Sequence, residues 1–258
     1  KPGAAYEFFR GNAPMKKYEE YLVDREPIRP EYRDRDARLQ VMDQWGLQSC
    51  WLFPTLGVLY EELMRHDPWA VVQTFRAFNR WLQDDWGCNY QNRIFAAPYM
   101  TLADVDEAIK ELEWALQQDA RVICMRPAAP TTATGQFSPG HRMFDPFWAR
   151  VNEAGVTVVV HASNSGYSTN GYAAQDHFGG GTLGDEGGPT VKMFSLERAV
   201  GDFIATLVFD KVFDRFPNLR FASVENGSSF VKPLLKELTS AASKVPGYFK
   251  EDPAERRS

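Results

Sequence analysis

The feature that most constrains the fold is a repeated alternation of short apolar runs with segments of helical period. Continuous apolar runs bounded by turn residues are typical of strands buried on both faces, as in parallel sheets. Five such runs recur along the chain, at residues 50–56, 93–100, 121–127, 156–162 and 219–225. Strand alternating with helix predicts βα units, and therefore an α/β fold with a parallel sheet.

Helix start signals stand in front of the apolar stripes between these runs. Asp67 and Pro68 supply a cap and a first-turn proline, and Asp145 and Pro146 repeat the same device. Further helices are expected at three places: over residues 32–45, from a start at Ser195, and after a cap at Ser228 or Ser229.

Five strands leave two architectures open. They could form an open, flavodoxin-like sheet, or they could be five of the eight units of a (β/α)8 TIM barrel that is incomplete in this chain. No GxGxxG or GxxxxGK[ST] directly follows any of the apolar runs, so an open sheet that binds a nucleotide would lack its usual phosphate loop.

The chain is expected to form a single domain over residues 1–258. Residues 1–31 are polar and aromatic without a clear period, and we interpret them as an excursion from the sheet. Residues 162–193 are rich in glycine and predict a lid loop. The chain starts at Lys1 without an initiator methionine and ends in a charged segment, which indicates a piece of a longer protein.

Composition limits the partners and the compartment. A net charge of -5 gives no basic surface for nucleic acid, and no run approaches the ~18 apolar residues of a membrane helix. Cys50, Cys88 and Cys124 are odd in number and lack metal-site spacing, which favours reduced thiols in a cytoplasmic protein. We expect a small-molecule substrate, no nucleic acid or membrane partner, and, from the aromatic N-terminal segment, a homodimer as a possible assembly.

Candidate catalytic residues follow from the rule that ligands bind at the carboxyl ends of parallel strands. His161 ends the fourth apolar run and shares one face with Thr157 and Val159 by the period-two rule. Glu225 ends the fifth run, where Phe221, Ser223 and Glu225 would share a face. The imidazole and the carboxylate are therefore expected to point into the same region, as metal ligand, base or orienting group.

Four further residues are candidates for binding the substrate. Arg126 ends the third run and could bind a substrate carboxylate, although a structural ion pair explains it equally well. Asn164 and Asn226 follow the fourth and fifth runs, and His177 lies in the glycine-rich loop. There is no GxSxG nucleophile motif, and one histidine with one carboxylate does not complete a metal site, since catalytic zinc usually has three protein ligands.

Three segments resemble one known family: RLQVMDQWGLQSCWLFPT, MFDPFWARVNEAGVTVVVHAS and VFDRFPNLRFASVENG. They are similar to the amidohydrolase-related (amidohydrolase 2) family, which includes metal-dependent hydrolases and decarboxylases such as aminocarboxymuconate-semialdehyde decarboxylase and γ-resorcylate decarboxylase. The resemblance runs from about Arg33 to Leu238. It implies a (β/α)8 barrel of the metal-dependent hydrolase type, in a bacterial cytoplasmic enzyme.

The resemblance also implies a divalent metal, commonly zinc. In the family the metal is held by an acid- or His-x-His motif on the first strand, a histidine after the fifth strand and an aspartate after the eighth. His161 matches the histidine after the fifth strand. The first-strand motif and the final aspartate have no counterpart in this sequence, so this chain is expected to hold metal poorly or not at all.

A second departure separates the possible activities. In the decarboxylases of the family the strand after FPxL ends in a histidine, whereas this chain has Glu225, followed by Asn226 and Gly227. A carboxylate can act as a base in hydrolysis, but it donates no proton at neutral pH unless its pKa is raised. Hydrolysis of a small cyclic or anionic amide, ester or lactone is therefore the first expectation. The alternatives are non-oxidative decarboxylation of an aromatic or muconate-type acid and a non-catalytic barrel.

Overall fold

The computed structural model describes residues 27–54, 57–166 and 195–255. Within these ranges the strands are β1 (Cys50–Leu52), β2 (Ile94–Ala96), β3 (Val122–Met125), β4 (Thr131–Thr132), β5 (Gly135–Gln136), β6 (Thr157–His161) and β7 (Arg220–Val224). The α-helices are α1 (Arg35–Gln44), α2 (Gly57–Met64), α3 (Pro68–Asp85), α4 (Val105–Gln117), α5 (Asp145–Ala154), α6 (Ser195–Phe209), α7 (Val212–Arg215) and α8 (Val231–Lys244). Each of the five apolar runs contains a strand, as predicted.

The five long-range strands follow one another in chain order. β1 pairs with β2, and β6 lies between β3 and β7, all in parallel. A parallel bridge between Tyr99 and Cys124 joins the two groups, so the order is β1–β2–β3–β6–β7. An order that never reverses has no switch point of the doubly wound kind and is the order of a (β/α)8 barrel. It favours the predicted barrel over the flavodoxin-like sheet.

Both faces of the central strands are covered by apolar side chains. Ile123, Met125, Val158 and Val160 pack in one cluster with apolar residues of α4, α5 and α6. The alternate residues belong to a second cluster that also contains Tyr99 and side chains of α3; they are Val122, Cys124, Val159, Ala222 and Val224. Burial on both faces explains why these strands read as continuous apolar runs.

The helix starts agree with the sequence in part. The Asp67 carboxylate accepts from the Ala70 backbone N–H and caps α3, as expected. Asp145 does not cap α5: Phe144 occupies the cap position, and the Asp145 carboxylate instead accepts from Arg215. Nor does a serine cap α8, because this helix follows Phe230 without a side-chain cap.

The hairpin of β4 and β5 lies between β3 and α5, where no strand was predicted. Its two-residue strands are too short to leave a periodic pattern in the sequence. Among the described helices, none combines the length and the apolarity needed to cross a membrane.

Candidate active site

His161 is the last residue of β6, and its side chain is almost completely buried. Its ring lies 5.6 Å from the ring of Phe53, between centroids, at the end of β1. The Nδ1 atom is 2.8 Å from the Ala162 carbonyl oxygen, which has no hydrogen to give. Nδ1 therefore carries the proton, and in the neutral ring Nε2 presents its lone pair.

Glu225 follows β7 directly and meets His161 across the ends of the two strands. Register pairs His161 with Val224, and the Glu225 Oε2 atom lies 3.6 Å from His161 Nε2. The carboxylate is mostly exposed, whereas the imidazole is buried. The predicted proximity of these two groups is thus present in the structure; their catalytic roles stay a prediction.

The reason for this proximity differs from the period-two argument. Phe221 packs against Trp148 and Phe203, in the apolar cluster that contains residues of α4, α5 and α6. The face that Phe221 shares with Ser223 is therefore not the face of His161. Glu225 has a φ of 59°, in the left-handed region, and the strand has already ended at Val224. The turn of the backbone, and not strand alternation, brings the carboxylate to the imidazole.

Asn226 is buried and links the same two strands. Its Nδ2 donates to the carbonyl oxygens of Val160 and Val224, at 2.9 and 3.0 Å. Its Oδ1 is one of the buried polar atoms without a partner among the described residues. The amide therefore holds the end of β6 to the end of β7, next to the two candidate catalytic groups.

Arg126 is buried and is bound to two carboxylates on α2. Its Nη1 donates to Glu62 at 2.6 Å, and its Nε lies 3.3 Å from a Glu61 oxygen. Glu61 also accepts from the hydroxyls of Tyr99 and Thr101, at 2.5 and 2.8 Å. Burial, and then the Glu61 charge, hold the pKa of Tyr99 well above its usual value. The structural ion pair that the sequence left open is therefore present.

Glu61 and Glu62 were not predicted from the sequence as residues of the site. Both are buried, and the signal available was a pair of adjacent carboxylates inside an otherwise apolar helix, GVLYEELM. Charged residues are almost never buried unless they are paired. Two glutamates in an apolar helix therefore predict buried cationic partners, which here include Arg126.

Asn164 lies in the segment after His161, and two of its atoms bind within the protein. Its carbonyl oxygen accepts from Arg126 Nη1 at 2.9 Å, and its Oδ1 accepts from the Gly166 N–H at 3.1 Å. His177 and most of the predicted lid loop lie outside the described residues. Arg126, Asn164, His177 and Asn226 remain predictions as substrate-binding residues.

Two described side chains offer electron-pair donors of the kind that a divalent metal takes. The His161 Nε2 lone pair and the Glu225 carboxylate face each other at 3.6 Å, so two electron-pair donors converge on one place. This donor pair suits a cation or a bridging water. Over residues 27–54, 57–166 and 195–255, however, no group of three or more His, Cys, Asp or Glu side chains could hold a metal ion. The two donors fit the metal that the resemblance implies, but they do not complete its coordination.

Two solved decarboxylases share the fold at low sequence identity. The 2,6-dihydroxybenzoate decarboxylase from Rhizobium is 18% identical, with a TM-score of 0.62 over 97% of this chain and 72% of that one. A dihydroxybenzoic acid decarboxylase from Polaromonas sp. JS666, with bound manganese and the inhibitor 2-nitroresorcinol, is 16% identical, with a TM-score of 0.63 over 98% and 70%. At this identity the likeness shows the fold alone. No curated protein matches the chain.

An amidohydrolase from Mycobacterium avium subsp. paratuberculosis K-10 is more similar. It is 38% identical to this chain, with a TM-score of 0.86. The match covers 98% of this chain and 63% of the mycobacterial one, so this chain spans less than two thirds of that relative's length. The sequence profile of the amidohydrolase family matches residues 25–255. The chain therefore belongs to the amidohydrolase family of enzymes, and its strands are those of the family's α/β barrel.

Proposed function

We propose that the protein is a metal-dependent hydrolase that acts on a small cyclic or anionic amide, ester or lactone. The observation that carries the proposal is the meeting of His161 Nε2 with the Glu225 carboxylate at 3.6 Å, at the carboxyl ends of two neighbouring parallel strands. In barrel enzymes this end of the sheet is where catalytic groups collect.

His161 is suited to a fixed task. Its ring is buried against Phe53, and the Ala162 carbonyl oxygen holds the proton on Nδ1. Nε2 is then oriented as a ligand, in the way that a carbonyl partner fixes the imidazole in metal sites. A divalent metal bound there would polarise a water molecule or a substrate carbonyl oxygen.

Glu225 is suited to accept a proton. Its carboxylate is mostly exposed, so water and substrate can reach it, and it lies beside the imidazole without displacing it. A carboxylate in this position can take a proton from an attacking water. Decarboxylation instead requires a general acid that delivers a proton to the substrate carbon. An ionised carboxylate does not supply this proton. Glu225 therefore favours hydrolysis over the decarboxylase alternative.

The test is an activity measurement on the protein with added Zn²⁺ or Mn²⁺, using a panel of small lactones, cyclic amides and aryl esters. We expect metal-dependent hydrolysis that falls by about a hundredfold or more in Glu225→Gln, within the range for loss of a general base. The matched control is Glu153→Gln, which changes an exposed glutamate of α5 and should leave the rate unchanged.

Two results would contradict the proposal. Release of CO2 from 2,6-dihydroxybenzoate, with no hydrolysis of any panel member, would establish the decarboxylase alternative. Absence of every activity, with the same metal content in wild type and His161→Ala, would establish the non-catalytic alternative.

A further inference from the structure

A cavity of about 490 Å³ lies beyond the carboxyl ends of β3 and β6, apart from the two candidate catalytic groups. Neither His161 nor Glu225 lines it. Much of its wall is apolar, from Pro127, Ala128, Ala129, Pro139, Ala199 and Phe203. A volume in this range suits a small organic molecule, and the apolar lining suits a ligand with an apolar body.

Arg65 brings a guanidinium to this cavity. Its side chain is about one third exposed, and its Nη1 donates to Glu62 Oε1 at 2.5 Å. Among the described residues its Nε and Nη2 have no hydrogen-bond partner. The other oxygen of Glu62 is bound by the buried Arg126 at 2.6 Å. Glu62 is thus held in place by Arg126, and it holds the Arg65 guanidinium at the cavity wall. The Nε–H and Nη2–H groups of Arg65 are then available to a ligand.

Three of the neutral side chains that line the cavity donate hydrogen bonds inside the protein. The Ser138 hydroxyl donates to Asp210, and the Thr206 hydroxyl donates to the Asp202 carbonyl oxygen at 2.7 Å. Gln136 donates from its amide to the Ala129 carbonyl oxygen at 3.2 Å. Asp202, which also lines the cavity, brings a carboxylate and therefore acceptors only. Among the described residues of the lining, Arg65 brings the cationic N–H groups that an incoming anion would bind.

We propose that this cavity binds a small monocarboxylate with an apolar body, and that Arg65 binds its carboxylate. Two N–H groups of one guanidinium match the two oxygens of a carboxylate in a bidentate pair. One guanidinium at the cavity wall matches one carboxylate, which favours a monocarboxylate over a dicarboxylate. The inference does not rest on the proposed hydrolysis, because its site and its readout are separate from His161 and Glu225.

The test is a titration of the whole chain with 4-fluorobenzoate, in which binding is measured by ¹⁹F NMR. We expect saturable binding to wild type that weakens by about tenfold or more in Arg65→Gln, from the loss of a charge-assisted pair. Arg142→Gln is the matched control, since that arginine is exposed and lies outside the cavity lining. The neutral probe 4-fluorobenzamide should bind wild type and Arg65→Gln equally.

A second variant places the site independently of charge. Ala129→Trp puts a large ring into the cavity and should abolish binding of both probes while the circular dichroism spectrum keeps its native form. Equal affinity of 4-fluorobenzoate for wild type and Arg65→Gln would overturn the proposal. So would unchanged binding in a folded Ala129→Trp variant, or no saturable binding to wild type at millimolar concentration.

Discussion

At the scale of single residues, the backbone at Glu225 decides where the candidate base points. A φ of 59° is unfavourable for a residue with a side chain, by about 1–2 kcal/mol. Non-glycine residues held in this region persist where the surrounding structure or the function requires them. Here the strained conformation coincides with the approach of the carboxylate to His161, which connects the strain to the proposed site.

Replacing Glu225 by glycine should separate stability from activity. Because glycine adopts a positive φ without steric conflict, we expect Glu225→Gly to leave the free energy of unfolding unchanged or to raise it by up to about 1 kcal/mol. Hydrolytic activity should be lost. Urea denaturation measures the first effect, and Glu237→Gly, at an exposed position inside α8, is the control that should lose about 1 kcal/mol. A large loss of stability in Glu225→Gly would contradict this account of the strain.

The sequence predicted the position of His161 better than that of Glu225. His161 is the last residue of a regular strand, so the period-two rule and the position of the strand end were enough to place it. Glu225 lies one residue beyond its strand, in a left-handed conformation that no alternation rule describes. Its proximity to His161 was predicted for a reason that the structure corrects.

At the scale of elements, α2 is held to the sheet by buried charge. Glu61 and Glu62 on α2 face Arg126 at the end of β3, and Tyr99 and Thr101 near the end of β2 donate to Glu61. Arg126 also donates to the Asn164 carbonyl oxygen in the segment that follows His161. One guanidinium therefore joins three parts of the mouth of the barrel: a helix, a strand end and the segment after the candidate ligand.

Removing this guanidinium should be strongly destabilising. Arg126→Met leaves the buried Glu61 carboxylate without its cation and Glu62 with Arg65 alone, and we expect a loss of about 3–5 kcal/mol in the free energy of unfolding. The same substitution in a Glu61→Gln, Glu62→Gln background should lose clearly less, because no buried negative charge is left unpaired. Arg150→Met removes a more exposed pair with Glu113 and should lose about 1 kcal/mol or less. Equal losses at Arg126 in both backgrounds would contradict the role of charge.

This network of buried charges could not be predicted from the sequence, because it joins residues that lie far apart in the chain. Arg126 and Glu62 are separated by 64 residues, and no sequence motif around either residue predicts that they pair. Strand and helix positions follow from local periods, whereas a buried ion pair depends on which elements become neighbours. The sequence accordingly left Arg126 open between a substrate anchor and a structural pair.

At the scale of the whole molecule, the apolar runs predicted the strands, and the resemblance to the amidohydrolase-related family predicted the barrel that sets their order. The five apolar runs were sufficient to predict βα units, yet an open sheet and a barrel share that pattern. The bridge between Tyr99 and Cys124 and the central position of β6 give an order without reversal. The match to the mycobacterial amidohydrolase then agrees with the barrel.

Because of the buried thiols, the free energy of unfolding of the whole fold should decrease at alkaline pH. Burial raises the pKa of Cys88 from 9.0 to about 12, and it raises the pKa of Cys124 as well. Because the folded state binds these protons more tightly, the unfolded state ionises first, and stability should fall as the pH rises above about 9. Denaturation curves at pH 8 and pH 10 measure this loss, which a Cys88→Ala, Cys124→Ala variant should show to a smaller extent. An identical loss in that variant would contradict the assignment.

The central claim is that His161 and Glu225 form a metal-dependent hydrolytic centre, and paramagnetic NMR tests it most directly. The chain has four histidines, so the imidazole signals of ¹⁵N-labelled protein can be followed one by one during a titration with Mn²⁺. We predict that the His161 signal broadens first, at concentrations that leave His66 and His141 sharp, and that Glu225→Gln weakens the effect. Broadening of His66 and His141 at the same Mn²⁺ concentration as His161, or no broadening of His161 at all, would contradict the claim.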